Sequence, residues 1–93
     1  MTKNEDQAWL VVAITKKVEK SLALKWEKTF AHAGAVVSKH PDNEKSILCV
    51  SITAPDRRSA ELLGKQYFDR VVNYLAVLSV EVFAEGELVS VSK

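Results

Sequence analysis

The stretch SILCVSIT, residues 46–53, decides the fold of this 93-residue chain. It is rich in Ile, Leu, Cys and Val and contains no charged residue. A polar turn (HPDNEK, residues 40–45) precedes it, and a helix-start pattern (TAPD, residues 53–56) follows it. A strand that is apolar on both faces lies in the middle of a sheet rather than at its edge. We therefore predict a central strand over residues 46–53.

A second apolar run, AWLVVAIT at residues 8–15, also reads as a central strand. Residues 1–7 are polar and are predicted to be a flexible tail, so residues 8–93 form one domain. Amphipathic helices are predicted over residues 21–33 and from the TAPD turn to about residue 75. Ser21 is the expected cap of the first helix, and Gly34 its left-handed terminator. Gly64 lies on the buried face of the second helix and would allow close approach to the sheet.

Three further strands complete the pattern, at residues 35–39, 77–84 and 87–92, with a turn at Glu85 and Gly86 before the last. The order β-α-β-β-α-β plus one strand predicts an α+β, ferredoxin-like split with both helices on one face. The expected sheet order is 5-4-1-3-2, in which the extra C-terminal strand forms an edge. This order places the first and third strands centrally, in agreement with their composition.

Composition limits the classes of partner and cofactor. The net charge is +1, which argues against a protein that holds nucleic acid by bulk electrostatics. Cys49 is the single cysteine, so no intrachain disulfide is possible, and we expect no metal and no cofactor. The apolar run AWLVVAI is too short for a signal peptide or a membrane span, and a cytoplasmic protein is expected.

The sheet face opposite the helices is the first candidate site. Leu48, Val50 and Ile52 are predicted to meet the helices, and Leu10, Val12 and Ile14 are placed inward with them. The open face would then hold Trp9, Val11, Ile47, Cys49, Phe83 and Leu88. Because such an apolar area is uncommon on a soluble monomer, we expect a partner to cover it, most simply a second copy of the chain.

Basic residues in two loops form a second candidate site. Lys16, Lys17 and Lys20 follow the first strand, and Arg57 and Arg58 follow the capping turn of the second helix. If both loops leave the same sheet edge, these cations and two helix N-termini would suit an anion or phosphate. The acidic residues Glu19, Asp56 and Glu61 dilute this patch.

The motifs of several catalytic and binding families with this topology are missing. The strand SILCVSIT has no aromatic residue for stacking RNA bases, and the loop KKVEK has neither a cysteine nor an arginine. We therefore expect a small non-catalytic interaction or regulatory module, homodimeric through its open face and acting on a protein partner. One alternative is an enzyme of the dimeric α+β barrel type, with a small apolar substrate held between sheet and helices. Another is a weak nucleic-acid or anion binder that uses the basic loops.

Overall fold

The computed structural model describes residues 7–84, which form two α-helices and a four-stranded open antiparallel sheet of the α+β class. The strands are β1 (Gln7–Lys16), β2 (Val36–Lys39), β3 (Lys45–Ala54) and β4 (Val77–Ala84). The helices are α1 (Lys20–Thr29) and α2 (Arg57–Phe68), and short 3₁₀ turns lie at Ala31–Ala33 and Tyr74–Ala76. Neither helix, and no other in the described range, is long and apolar enough to cross a membrane.

The strand order is β2-β3-β1-β4, and each neighbouring pair is antiparallel. The two most apolar runs therefore occupy the centre, as their composition indicates. These four strands have the relative order that the sequence predicts for them. The predicted fifth strand (residues 87–92) and its turn lie outside the described residues, so the five-strand order stays a prediction.

Both helices cover the same face of the sheet. The rings of Trp26 in α1 and Phe68 in α2 lie 6.2 Å apart between centroids. Both residues belong to one buried cluster that also contains Leu48 and Val50 of β3. The Trp26 indole N–H donates to the Tyr67 carbonyl at 2.9 Å, so this polar group is paired inside the core. The helix layer and the inner sheet face thus share one core.

The prediction for the inner face of β1 was wrong. The side chains buried beneath the helices are Trp9, Val11 and Ala13, at 6%, 0% and 0% exposure. The half-buried side chains on the other face are Leu10, Val12 and Ile14. Because both alternating sets are apolar, hydrophobicity does not choose between them. The close approach of α2 does, since a Cβ built at Gly64 would lie only 2.7 Å from Val11 Cγ1.

The helix ends follow local chemistry only in part. Gly34 has φ 67° and terminates the first helical region as predicted, after a 3₁₀ turn. Ser21 is not the cap, because α1 begins one residue earlier, after Glu19. Asp56 caps α2 by accepting the Ser59 N–H at 2.8 Å. This helix ends at Phe68, well before residue 75.

Candidate functional site

The open face of the sheet, on the side away from the helices, carries a contiguous set of apolar side chains. We call this set the open face; its members are Leu10, Val12, Ile14, Val36, Ile47, Cys49 and Phe83. Val36 is 48% exposed, and the others are half-buried by one another. Within residues 7–84, no helix packs over this side of the sheet.

The strand register makes the open face continuous. Val12 of β1 pairs with Cys49 of β3 on one side and with Glu81 of β4 on the other. Cys49 pairs in turn with Val36 of β2. Directly opposed residues on neighbouring strands have Cβ atoms about 4.5–5.5 Å apart, so these side chains touch across the strands. A row of three apolar residues therefore crosses three strands and ends at an exposed carboxylate.

The predicted members of this surface divide into three groups. Ile47, Cys49 and Phe83 lie on the open face, as expected. Trp9 and Val11 lie beneath the helices and are corrected here. Leu88 lies outside the described residues. The sequence of β1 contains one indication of its outward face. Its last residue, Lys16, is charged and shares a face with Leu10, Val12 and Ile14, which favours that face as the one away from the helices.

Cys49 lies near the centre of the open face. It is the single cysteine of the chain and is half-buried. Burial raises the pKa of its thiol above the usual value, because the thiolate is poorly solvated there. Since the thiolate is the reactive form, Cys49 is a weak nucleophile at neutral pH. It is better suited to report coverage of this surface than to perform chemistry.

The predicted five-residue basic site does not form. Lys16 pairs with Lys45, and Gln7 pairs with Ala54, so β1 and β3 end at opposite ends of the sheet. Ten residues of strand at about 3.3 Å each separate those ends by roughly 30 Å. Lys16, Lys17 and Lys20 therefore lie at one end, and Arg57 and Arg58 at the other. The prediction was wrong because antiparallel neighbours send their following loops in opposite directions.

Arg57 has a structural role at its own end of the sheet. Its Nη1 donates a hydrogen bond to the Val82 carbonyl of β4. Its guanidinium also lies 5.5 Å from the centre of the Trp9 ring, a cation–π distance. The Trp9 indole N–H donates in turn to the Ala54 carbonyl at 2.9 Å. These contacts fasten the start of α2 to three strands, so Arg57 is not a loose surface cation.

A lysine-rich cleft of about 660 Å³ lies at the other end, between α1, β2 and the turn before β3. We call it the lysine cleft; it is lined by Lys17, Val18, Lys20, Ala23, Leu24, Glu27, Val37, Ser38, Lys39, His40, Asn43, Lys45 and Ser46. Two of the predicted basic residues, Lys17 and Lys20, belong to it. Lys39 and Lys45 were not predicted as members of this site, because they are distant in sequence from Lys17 and Lys20 and come near them only when β1 pairs with β3.

The packing of the aromatic residues counts against the barrel-enzyme alternative. That alternative would be supported by a buried pocket lined by Trp9, Trp26, Tyr67 and a histidine, and a close-packed core counts against it. Trp9 and Trp26 are only 6% and 3% exposed, and both indole N–H groups bond to main-chain carbonyls. Tyr67 packs edge-on against Phe30, with centroids 5.1 Å apart. These side chains fill the space that a substrate would need.

Comparison with known proteins does not assign this chain to a family. No protein-family model, no curated protein and no solved structure matches it. Within residues 7–84, no three His, Cys, Asp or Glu side chains come together in a way that could hold a metal ion. Among the described residues, the open face and the lysine cleft are the two candidate functional surfaces.

Proposed function

We propose that this protein is a non-catalytic interaction module that forms a homodimer through its open face and regulates a larger protein partner. The observation that carries the proposal is the contiguous apolar surface formed by β1, β2, β3 and β4 on the side without helices. Apolar patches of several hundred Å² on soluble proteins commonly mark interaction sites. The helices and the lysine cleft would remain exposed to the larger partner.

The fold itself supports a more specific assignment. We propose that the order β2-β3-β1-β4, with both helices on one face, is a ferredoxin-like split. In this proposal, residues 87–92 add a fifth strand beside β4. Beside β4 there is a groove of about 400 Å³, whose walls include Phe68, Val77 and Val80. A strand with valines at positions 89 and 91 would extend the apolar inner face there.

The dimensions of the open face suit a second copy of the chain. Four strands spaced about 4.8 Å apart, with a length of about 30 Å at the centre, give an area of roughly 500 Å². Two such faces would bury roughly 1,000 Å² in total, which is the lower bound for a specific interface. We therefore expect dissociation constants in the micromolar range, about −8 kcal/mol, rather than nanomolar affinity.

The side chains between the apolar residues also suit sheet-to-sheet packing. Ser38, Ser51 and Ser79 occupy the positions across the strands from Ile47, Leu10 and Ile14. These small side chains would allow two sheets to approach to about 10 Å, the usual distance between packed sheets. A two-fold axis would place the same surface on both sides of the interface, so one flat apolar face is sufficient. Glu81 is exposed on β4 and would lie at the rim.

Self-association is tested with Val12→Asp, which places a carboxylate in the middle of the open face. The wild-type protein should sediment as a dimer at tens of micromolar, whereas Val12→Asp should sediment as a folded monomer. Burying an unpaired carboxylate costs far more than this modest interface can supply. Leu62→Asp is the matched control, because Leu62 is 56% exposed on the outer side of α2. This control should still dimerise.

Cys49 gives an independent measure of the same interface. Its reaction with a thiol reagent should slow several-fold as protein concentration rises through the dissociation constant, because the dimer covers it. In Val12→Asp the rate should not depend on concentration. A wild-type protein that stays monomeric at 100 µM, with a concentration-independent labelling rate, would contradict the proposal.

A further inference from the structure

We infer that the lysine cleft binds a small phosphorylated ligand that carries two or more phosphate groups beside an apolar portion, as a nucleoside diphosphate does. The cleft lies between α1 and the β2–β3 turn. None of the apolar open-face residues lines it, although Ser38 borders both the cleft and the proposed dimer surface. Ligand binding and dimerisation are measured separately, so either proposal can fail alone.

The backbone around the cleft is held in place before any ligand binds. The Lys17 N–H donates to the Glu44 carbonyl at 2.9 Å, and the Val18 N–H donates to Ser46 Oγ at 3.0 Å. Val18 and Ser46 are only 7% and 6% exposed, so this loop is anchored in the protein. Sites whose groups are fixed in advance lose less entropy on binding. The main chain that carries Lys17 is thus fixed before a ligand binds.

Three of the four lysines that line the cleft form no ion pair among the described residues. Within residues 7–84, Lys17, Lys20 and Lys39 form no ion pair, whereas Lys45 lies 3.5 Å from an Asp42 carboxylate oxygen. The chain has a net charge of only +1, so this concentration of lysines is local rather than a general excess of basic residues. Four lysines and one glutamate line the cleft, and such an excess of positive charge concentrates anionic ligands. Lysine ammonium groups bind phosphate as point charges.

One wall of the cleft is apolar, which favours more than a bare anion. This wall consists of Val18, in the loop before α1, and of Ala23 and Leu24 of α1; Leu24 is 52% exposed, whereas the other two are buried. Asn43 and Ser38 add polar groups that could orient a ligand. The volume of about 660 Å³ lies within the range of small-molecule sites, about 300–1,000 Å³. A flat apolar group could lie against this wall while phosphates reach the lysines.

Glu27 makes the inference easy to test, because it is the single carboxylate that lines the cleft. Its Oε2 accepts the Val37 N–H of the edge strand β2 at 2.6 Å. Glu27→Gln keeps an oxygen that can accept this bond but removes a negative charge that opposes an anion. The variant should therefore bind phosphorylated ligands more tightly while keeping the fold.

The experiment measures binding of inorganic pyrophosphate and of ADP to the full chain, without divalent cations, by calorimetry and by amide NMR shifts. Both probes should bind saturably below about 1 mM in 20 mM NaCl and more weakly in 200 mM NaCl, where charges are screened. The shifted amides should lie in residues 17–24 and 37–46. ADP should bind more tightly than pyrophosphate, because only ADP contacts the apolar wall.

Two kinds of variant should change the affinity for these ligands in opposite directions. Lys17→Glu and Lys39→Glu should each weaken binding about tenfold, and Glu27→Gln should strengthen it several-fold. Arg58→Glu, at the far end of the sheet, and Lys25→Glu, outside the cleft on α1, change the net charge equally and should have little effect. Circular dichroism and the melting temperature verify folding of each variant. Absence of saturable binding, or equal loss in the control variants, would overturn the inference.

Discussion

Gly64 sets the distance between α2 and the sheet. A Cβ built there would lie 2.7, 2.9 and 3.0 Å from three side-chain atoms of Val11, and real Cβ atoms essentially never approach so closely. Val11 is fully buried in a central strand, and its β-branched side chain has few rotamers to which it can move. A single hydrogen atom in place of a methyl group therefore decides how closely two layers pack.

Gly64→Ala should destabilise the protein, although alanine is the better helix former. The change gains about 1 kcal/mol of helix propensity but forces an overpacked contact that costs about 1–3 kcal/mol. We expect a net loss of roughly 1 kcal/mol in the free energy of unfolding, measured by urea titration. Gln66→Ala, at an exposed position of α2, is the control and should not destabilise. Stabilisation by Gly64→Ala would show that the helix has room to shift.

At the scale of elements, β1 has two apolar faces with different roles. Val11 is buried against α2, and the adjacent Val12 lies on the open face between Cys49 and Glu81. The two residues are chemically identical and differ only in the direction of their side chains. Their contrast tests the orientation of the strand without any assumption about partners.

Val11→Asp should unfold the protein, whereas Val12→Asp should leave it folded. A carboxylate at Val11 has no water and no partner, and such burial costs more than about 4 kcal/mol, a large part of the stability of a small domain. At Val12 the carboxylate reaches solvent in the monomer. Urea titration at low micromolar concentration, where dimers contribute least, measures both variants. The opposite result would restore the orientation expected from the sequence.

At the scale of the whole molecule, the two ends of the sheet are separate. Arg57 and Trp9 fasten one end, and the lysine cleft lies at the other. At each end of the sheet, one aspartate carboxylate accepts a hydrogen bond from a main-chain N–H group. Asp42 accepts the Glu44 N–H in the β2–β3 turn, and Asp56 accepts the Ser59 N–H at the start of α2. Each bond favours the charged carboxylate, so both contribute to the pH dependence of stability.

The stability of the protein should fall in acid because of these two groups. The main-chain hydrogen bond from Glu44 holds the pKa of Asp42 below its usual value, and that from Ser59 does the same for Asp56. A carboxyl group whose pKa is lower in the folded state adds stability above its unfolded pKa of about 3.9. This stability is lost as pH falls through the folded pKa.

Replacing each aspartate by asparagine removes the titrating carboxyl group but keeps a side-chain oxygen that can accept the same hydrogen bond. At pH 7 the melting temperature of Asp56→Asn should lie close to that of the wild type, since asparagine also caps helices. Between about pH 5 and pH 2 its melting temperature should fall less than that of the wild type, and Asp42→Asn should act in the same direction. Thermal melts across this range provide the measurement. An acid transition identical in all three proteins would refute the assignment.

The sequence by itself determined the elements and much of their arrangement. Uninterrupted apolar runs identified β1 and β3 as central, Gly34 marked the end of the first helical region, and the TAPD turn located the start of α2. These are local properties, since side-chain polarity and backbone preference are read over a few neighbouring residues. Ile47, Cys49 and Phe83 were placed correctly on the face away from the helices, because the polar residues Ser51 and Glu81 share that face.

The tertiary structure alone decided which surfaces can act. Val11 is buried because α2 approaches through Gly64, and Trp9 is buried on the same face of β1. The close approach of the helix is a constraint absent from the β1 sequence, where both faces carry apolar residues. Arg57 and Lys17 lie at opposite ends because β1 and β3 are antiparallel. The lysine cleft exists because pairing of β1 with β3 brings Lys17 and Lys20 beside the β2–β3 turn, which is distant in the chain. Local patterns specify elements, but a surface depends on pairing and packing between them.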